Sequence, residues 1–137
     1  MAAADAVRRP LITRAFGCRV ADDGSVAVTW IASREAPAVV SALSAGGAFA
    51  LTASHISSYQ TVQVKSTDAR TAPIESRDYA TVLTYQDGFC RIATSLGYPE
   101  HVMRRMLRAR PSDMVAIHFT PATVFRQTPG LGAGAAW

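Results

Sequence analysis

The stretch "RAFGCRVADDGSVAVTWIAS", residues 14–33, decides how the rest of the chain is read. Asp23-Gly24 in its middle supplies the positive φ angles that tight hairpin turns demand. Its second arm, Ser25 to Ala32, is rich in β-branched and aromatic residues, so two strands joined by a turn are expected. The character then switches. In "REAPAVVSALSAGG", residues 34–47, Val39, Val40 and Leu43 fall at helical spacing and Gly46-Gly47 end the pattern. Glu35 and Pro37 suit the first turn of that helix.

Working outward, "AFALTASH" (48–55) and "SYQTVQVKST" (58–67) read as two further strands around a polar bend. In the second, Val62 and Val64 point one way, and Tyr59, Thr61, Gln63 and Lys65 the other. "APIESRDYATVLTYQDGFCRIATSLGYP" (72–99) is the longest helical pattern, with Tyr79, Val82, Leu83, Gln86, Phe89, Cys90, Ala93 and Leu96 near one face. Gly97 and Pro99 stop it. A short helix follows, with Val102, Met103, Met106 and Leu107 on its apolar side. "DMVAIHFT" (113–120) alternates as a half-buried strand, and "ATVFRQT" (122–128) as a last one. Residues 1–10 read as a loose arm, and 128–137 as a glycine-rich tail ending on Trp137. The expected order is β-β-α-β-β-α-α-β-β in one domain. Short strands in adjacent pairs suit an antiparallel sheet that closes into a barrel.

The totals agree with one folded domain. The chain has 137 residues, 49% hydrophobic and 18% charged, with a net charge of +4. The arginines are scattered, which argues against nucleic acid as the partner. The segment "MAAADAVRRP" lacks the apolar core of a secretory signal. No apolar run approaches the roughly 20 residues that span a bilayer. A cytoplasmic protein without a membrane partner is expected. Cys18 and Cys90 show no CxxC spacing; a disulfide and two buried free thiols are both open, the thiols being expected in a reducing compartment.

Few residues point to chemistry. Ser33-Arg34 lie where a strand feeds a helix, which is a reasonable anion cradle of free N–H groups plus a guanidinium. The plainer reading is a Ser33 helix cap and a solvated Arg34. His55, His101 and His118 stand in no metal-ligand spacing, and no metal site is expected; His55, beside the polar bend, is the one of interest. No GxSxG elbow and no Walker-type loop occur. "GLGAGAA" has no following helix, which excludes a dinucleotide fingerprint. The arginines between 104 and 110 read as a solvated helix face.

In order, these segments resemble the pyridoxamine 5'-phosphate oxidase-like group, the FMN-binding split β-barrels. "RAFGCRVADDGSVAVTWIASRE" is similar to that family's first hairpin, whose second strand ends in a Ser-Arg-Lys phosphate loop. "AFALTASHISSYQTVQVKS" is similar to its next strand pair, and "TPATVFRQTPG" to its final strand; the glycine-rich end resembles a small bacterial branch. The resemblance covers roughly residues 11–130. It implies a mainly β fold with flanking helices, a six-stranded antiparallel split β-barrel. It further implies a homodimer with FMN between subunits, and flavin-dependent oxidoreductase chemistry on an unknown small redox substrate. By the same resemblance Ser33 and Arg34 match the phosphate loop. Thr29 matches the residue beside the flavin, and Gln60 and Thr61 match the later Arg-Gln positions. Arg14 and Lys65 are candidates for the rest of the pocket. The chain departs from the pattern at Glu35, where a second basic residue is common, and at Gln60 and Thr61. The Arg-x-His segment of true pyridoxamine phosphate oxidases is absent, so vitamin B6 oxidation is not expected. The departures leave open a non-catalytic alternative, whose pocket is empty or holds another planar ligand such as haem.

Overall fold

The computed structural model describes all 137 residues. Nine strands and three helices follow the order β1 (Ala2–Ala4), β2 (Pro10–Ile12), β3 (Cys18–Val20), β4 (Ala27–Ala32), α1 (Pro37–Ser44), β5 (Phe49–Ser54), β6 (Thr61–Ser66), β7 (Arg70–Pro73), α2 (Ser76–Ser95), α3 (Glu100–Met106), β8 (Met114–Phe119) and β9 (Thr123–Arg126). They form two antiparallel sheets, β2-β1-β5-β6-β9 and β3-β4-β8-β7. The fold is mainly β with flanking helices, as expected. The expected strand count of six becomes nine, and the two sheets do not close into one barrel.

The hairpin at 14–33 forms. Gly24 takes φ +72° and the Ala21 N–H donates to the Val26 carbonyl at 2.9 Å. Strand β4 then does more than a hairpin arm needs, because it is buried on both faces. Ala27 and Ile31 turn into a core with Val39, Leu43, Phe49, Ile117 and Phe119, between the sheets and α1. The Phe49 and Phe119 rings sit 4.6 Å apart in a tilted pair. Val28, Trp30 and Ala32 turn the other way, against Phe16, Val82, Met114 and Ala116 under α2. Strand β8 beside it also buries both faces, so the half-buried reading of "DMVAIHFT" is corrected. Cys90, Ala93, Met103 and Leu107 join α2 to α3. Leu83, Leu96, Val102 and Met106, expected on buried helix faces, stay exposed.

The loose arm at 1–10 is also corrected. Ala2–Ala4 form a strand between β2 and β5. An all-alanine strand carries no β propensity, so pairing on both sides supplies what side chains do not. Strand β7 was unexpected for a related reason. Its Pro73 cannot donate to a ladder, and β7 accordingly lies at the end of its sheet, with β8 its only neighbour. The tail doubles back: Phe125 and Ala136 form an isolated bridge, and the Trp137 N–H donates to the Val124 carbonyl at 3.0 Å. The two cysteines are free thiols, Cys90 buried and Cys18 exposed.

One contact between loops carries a pH dependence. The Asp68 carboxylate, between β6 and β7, accepts from the Ser66 hydroxyl at 2.6 Å and from the Thr120 N–H at 2.8 Å. These bonds, the Ser66 one first, hold its carboxyl down to about 2. The unfolded chain protonates nearer the ordinary value of about 3.9. The contribution is therefore complete above about pH 4 and is lost as pH falls toward 2. Asp68→Asn should flatten that acid limb of the stability curve and leave the region above pH 5 parallel to wild type, as urea midpoints across pH 2–6 will read out.

Candidate ligand-binding site

The junction after β4 is built differently from a helix cap. The Ser33 N–H and hydroxyl both donate to the Asp113 carbonyl, at 2.7 and 3.0 Å. Helix α1 starts at Pro37 with Ala36 before it and no side-chain cap. Arg34 pairs with the Asp113 carboxylate at 3.1 Å while remaining 80% exposed. Its surroundings are cationic all the same. A cleft of about 220 Å³ is lined by Arg34, Arg108 and Arg110 against Glu35 and Asp113. That volume is below the roughly 300–1,000 Å³ of ordinary small-molecule sites, and fits one anionic group rather than a whole cofactor.

Gln60 and Thr61 stand elsewhere, where β6 begins. Cross-strand partners share a sheet face, so Leu51, Val64 and Val124 face the core while Thr52, Gln63 and Phe125 face outward. On the outer face Gln63 donates to the Thr52 hydroxyl at 3.2 Å, and Lys65 lies 4.8 Å from the centre of the Phe125 ring. The alternation expected for Thr61, Gln63 and Lys65 holds. Tyr59 departs from it: it sits in the preceding turn with φ +57°.

The core-side face changes at one end. Leu51 is buried, but Ala53 is exposed and Val62 only half-buried. There a cleft of about 390 Å³ opens, lined by His55, Gln60, Thr61, Val62, Arg126, Thr128 and Trp137. No carboxylate lies within 4 Å of Arg126, and the Gln60 side-chain amide has no hydrogen-bond partner in the protein. Thr61 is better anchored, with its N–H on the Thr128 hydroxyl at 3.0 Å and its hydroxyl 2.8 Å from that of Ser54. The doubled-back tail is what brings Trp137 to this wall.

The remaining sequence candidates lie apart from both clefts. Thr29 is fully buried in β4, its hydroxyl donating to the Gly17 carbonyl. Arg14 donates to the Met106 carbonyl at 2.8 Å, at the C-terminal end of α3, where a cation is favoured. Lys65 belongs to the outer sheet face. The structure thus brings Gln60 and Thr61 together in one cleft and puts Arg34 in another that shares no lining residue with it, while Ser33 is engaged with Asp113 and lines neither. Arg126 and Trp137 were not among the sequence candidates. Arg126 lay in the expected last strand with nothing to mark it, and Trp137 was only an aromatic residue past a run of glycines, which carries no information about where the tail returns.

His55 stands between two openings. It lines the Gln60 cleft and also a larger one of about 440 Å³ against α2 and α3. Its Nδ1 accepts from the Ser58 N–H at 3.4 Å, with the Ser57 and Ser58 hydroxyls each at 3.2 Å. A backbone N–H can only donate, so the ring proton is assigned to Nε2. Although Cys18 is exposed as a residue, the atoms packed about its thiol push it up to about 11, which disfavours the thiolate at neutral pH. No helix is long and apolar enough to cross a membrane. No family model, no curated protein and no solved structure matches this chain.

Proposed function

We propose that the protein binds FMN in the cleft at Gln60, Thr61, Arg126 and Trp137 and serves as a flavin-dependent oxidoreductase of the split-barrel type. The observation that carries the reading is the make-up of that cleft. It combines an exposed indole, an unengaged amide and a guanidinium free of carboxylates in about 390 Å³. A flavin asks for these three things: a flat apolar face, a donor–acceptor edge for its pyrimidine ring and a cation for its phosphate. When bound, the flavin supplies the electron-transfer chemistry. Trp137 covers a ring face, Gln60 addresses the polar ring edge, and Arg126 holds the phosphate in place of Arg34, which Asp113 already neutralises. Thr61, fixed by Thr128 and Ser54, keeps the start of β6 rigid behind them. The open end of the sheet face at Ala53 and Val62 suits cover by a second copy, so the same reading has the protein as a homodimer.

The alternative, a non-catalytic member holding another planar ligand, is favoured by one observation: the pairing of Arg34 with Asp113 removes a cation from the expected phosphate loop. Haem through His55 fits less well, since iron needs the Nε2 lone pair that the assigned proton occupies.

Titration of the purified protein with FMN, followed by flavin fluorescence, tests the reading. Binding at micromolar concentration is expected. Arg126→Ala should weaken it by about 1.5–3 kcal/mol, the range for a charge-assisted contact, and Trp137→Ala by about 0.5–1.5 kcal/mol. Arg34→Ala should have the smallest effect of the three. FMN fluorescence unchanged at micromolar excess of protein sinks the proposal.

A further inference from the structure

The larger cleft beside His55 is unlike the others. Its walls are Ile56 and Tyr59 from the turn between β5 and β6, and Phe89, Tyr98, Met103 and Met106 from the helical side. At about 440 Å³ it lies within the range of small-molecule sites. Four side chains at its rim, Tyr59, Leu96, Tyr98 and Met106, are among the chain's exposed large apolar residues. Such residues scattered singly need no explanation; gathered about one concavity they do.

Two further observations concern the turn itself. Tyr59 sits at φ +57°, a conformation that bulky side chains rarely adopt. The turn maintains it: the Tyr59 N–H donates to the His55 carbonyl at 2.9 Å, and the Tyr59 carbonyl accepts from Thr61 at 2.9 Å. Strain held in this way is a mark of functional segments. The same turn fixes His55 through Nδ1, which leaves Nε2–H without a partner in the protein, on a residue that lines this cleft of aromatic and thioether side chains.

We propose that this cleft is a binding site for a two-ring aromatic small molecule that carries a hydrogen-bond acceptor. The ring system packs between Tyr59, Tyr98 and Phe89, with the Met103 and Met106 sulfurs at its edge, a contact thioethers favour. The acceptor, a carboxylate or carbonyl, takes the His55 Nε2 proton in a hydrogen bond. Methionine lets the walls adapt, and the single donor sets the orientation. The inference does not rest on FMN binding, since His55 is the only residue common to the two clefts.

The probe is naphthalene-2-carboxylate, followed by NMR of the methionine methyl groups in the full chain without flavin. Met103 and Met106 should shift while Met114, buried in the core under α2, stays in place. Saturation is expected at or below about 1 mM, the scale set by ligand efficiency for a probe of this size. 2-(Aminomethyl)naphthalene, an ammonium of the same ring size with donors only, should bind at least about fivefold more weakly, the value of one hydrogen bond. Tyr59→Gly separates binding from folding. Glycine accepts the positive φ, so thermal stability should hold or rise while probe affinity falls about fivefold. Leu96→Trp, at an exposed rim position, should block the cleft. Absent shifts, equal binding of the two probes, or binding that survives Leu96→Trp would each overturn the proposal. So would methionine shifts that follow protein concentration without probe, which would mean that a second copy covers the cleft.

Discussion

Trp30→Ala should lower the free energy of unfolding by about 3–5 kcal/mol, the range for truncating a fully buried large aromatic. Trp30 is the largest of the fully buried side chains and fills the layer between β4 and α2, with Phe16, Val82, Met114 and Ala116 around it. Neighbouring strands cannot collapse into the gap, because β4 is pinned to β8 along its whole length, from Ala27–Phe119 to Ala32–Met114. Against a typical total of about 5–15 kcal/mol, such a loss leaves a marginal protein. Trp30→Phe should behave quite differently. The indole Nε1–H has no hydrogen-bond partner, so the wild-type residue carries an unsatisfied buried donor. Phenylalanine removes that donor and leaves a smaller void, and the two effects should offset to within about 1 kcal/mol. Urea midpoints of the two variants, read by far-UV circular dichroism, give the comparison. A Trp30→Phe loss well above about 1 kcal/mol would show that the void outweighs the relief of the unsatisfied donor.

Gly47→Ala should be the second severe change, at about 3 kcal/mol, the upper end for overpacking against a rigid wall. Gly47 connects α1 to β5. A methyl group there would overlap the Ala4 carbonyl oxygen and reach 2.8 Å from that of Ala42. Neither can move easily: the Ala42 carbonyl already accepts from the Gly47 N–H at 2.9 Å, and Ala4 is held in place by its N–H, which donates to the Ala48 carbonyl at 3.0 Å. Relief requires β1 to leave β5, and β1 is the strand that ties β2 to the sheet. The neighbouring Gly46 has a different reason for being glycine. It adopts φ +78° with open space where a Cβ would stand. Gly46→Ala therefore meets only the left-handed backbone penalty of about 1–2 kcal/mol. Thermal melts of the two variants should separate these causes, with Gly47→Ala the less stable; the reverse order would show that the β1–β5 contact yields.

The Gly46-Gly47 pair illustrates what periodicity and turn chemistry can reveal. The end of the helix was legible from glycine alone; the close approach to Ala4 was not, because it depends on a strand that alanines do not announce. The same division runs through the fold. Strands β4, β5, β6, β8 and β9 and the three helices follow from local pattern, since each has a run of apolar residues at the period of 2 or 3.6. Their partners do not. Nothing local says that β4 pairs with β8 some 85 residues on, or that pairing there buries both faces. At the candidate site, Gln60 and Thr61 came from the resemblance and not from local pattern, and Gln60 stands one residue before β6. Ser33 gave the right junction but a different bond, because Asp113, which takes both its donors, is distant in sequence. Arg126 and Trp137 acquire meaning only from the returning tail.

That tail has a consequence for how the molecule behaves in a crowded solution. A strand at the end of a sheet offers unpaired N–H and C=O groups as a template on which other chains can polymerise. Here the Arg126 and Val124 backbone groups are already taken, by Ala135, Gly134 and Trp137. The other three termini of the two sheets are three or four residues long, and two of them contain a proline, Pro10 and Pro73. Neither sheet presents a long bare ladder, so the chain can concentrate a large amount of β structure with little tendency to seed fibres. The glycines that make the tail look structureless are what allow it to turn back and close the last of those ladders.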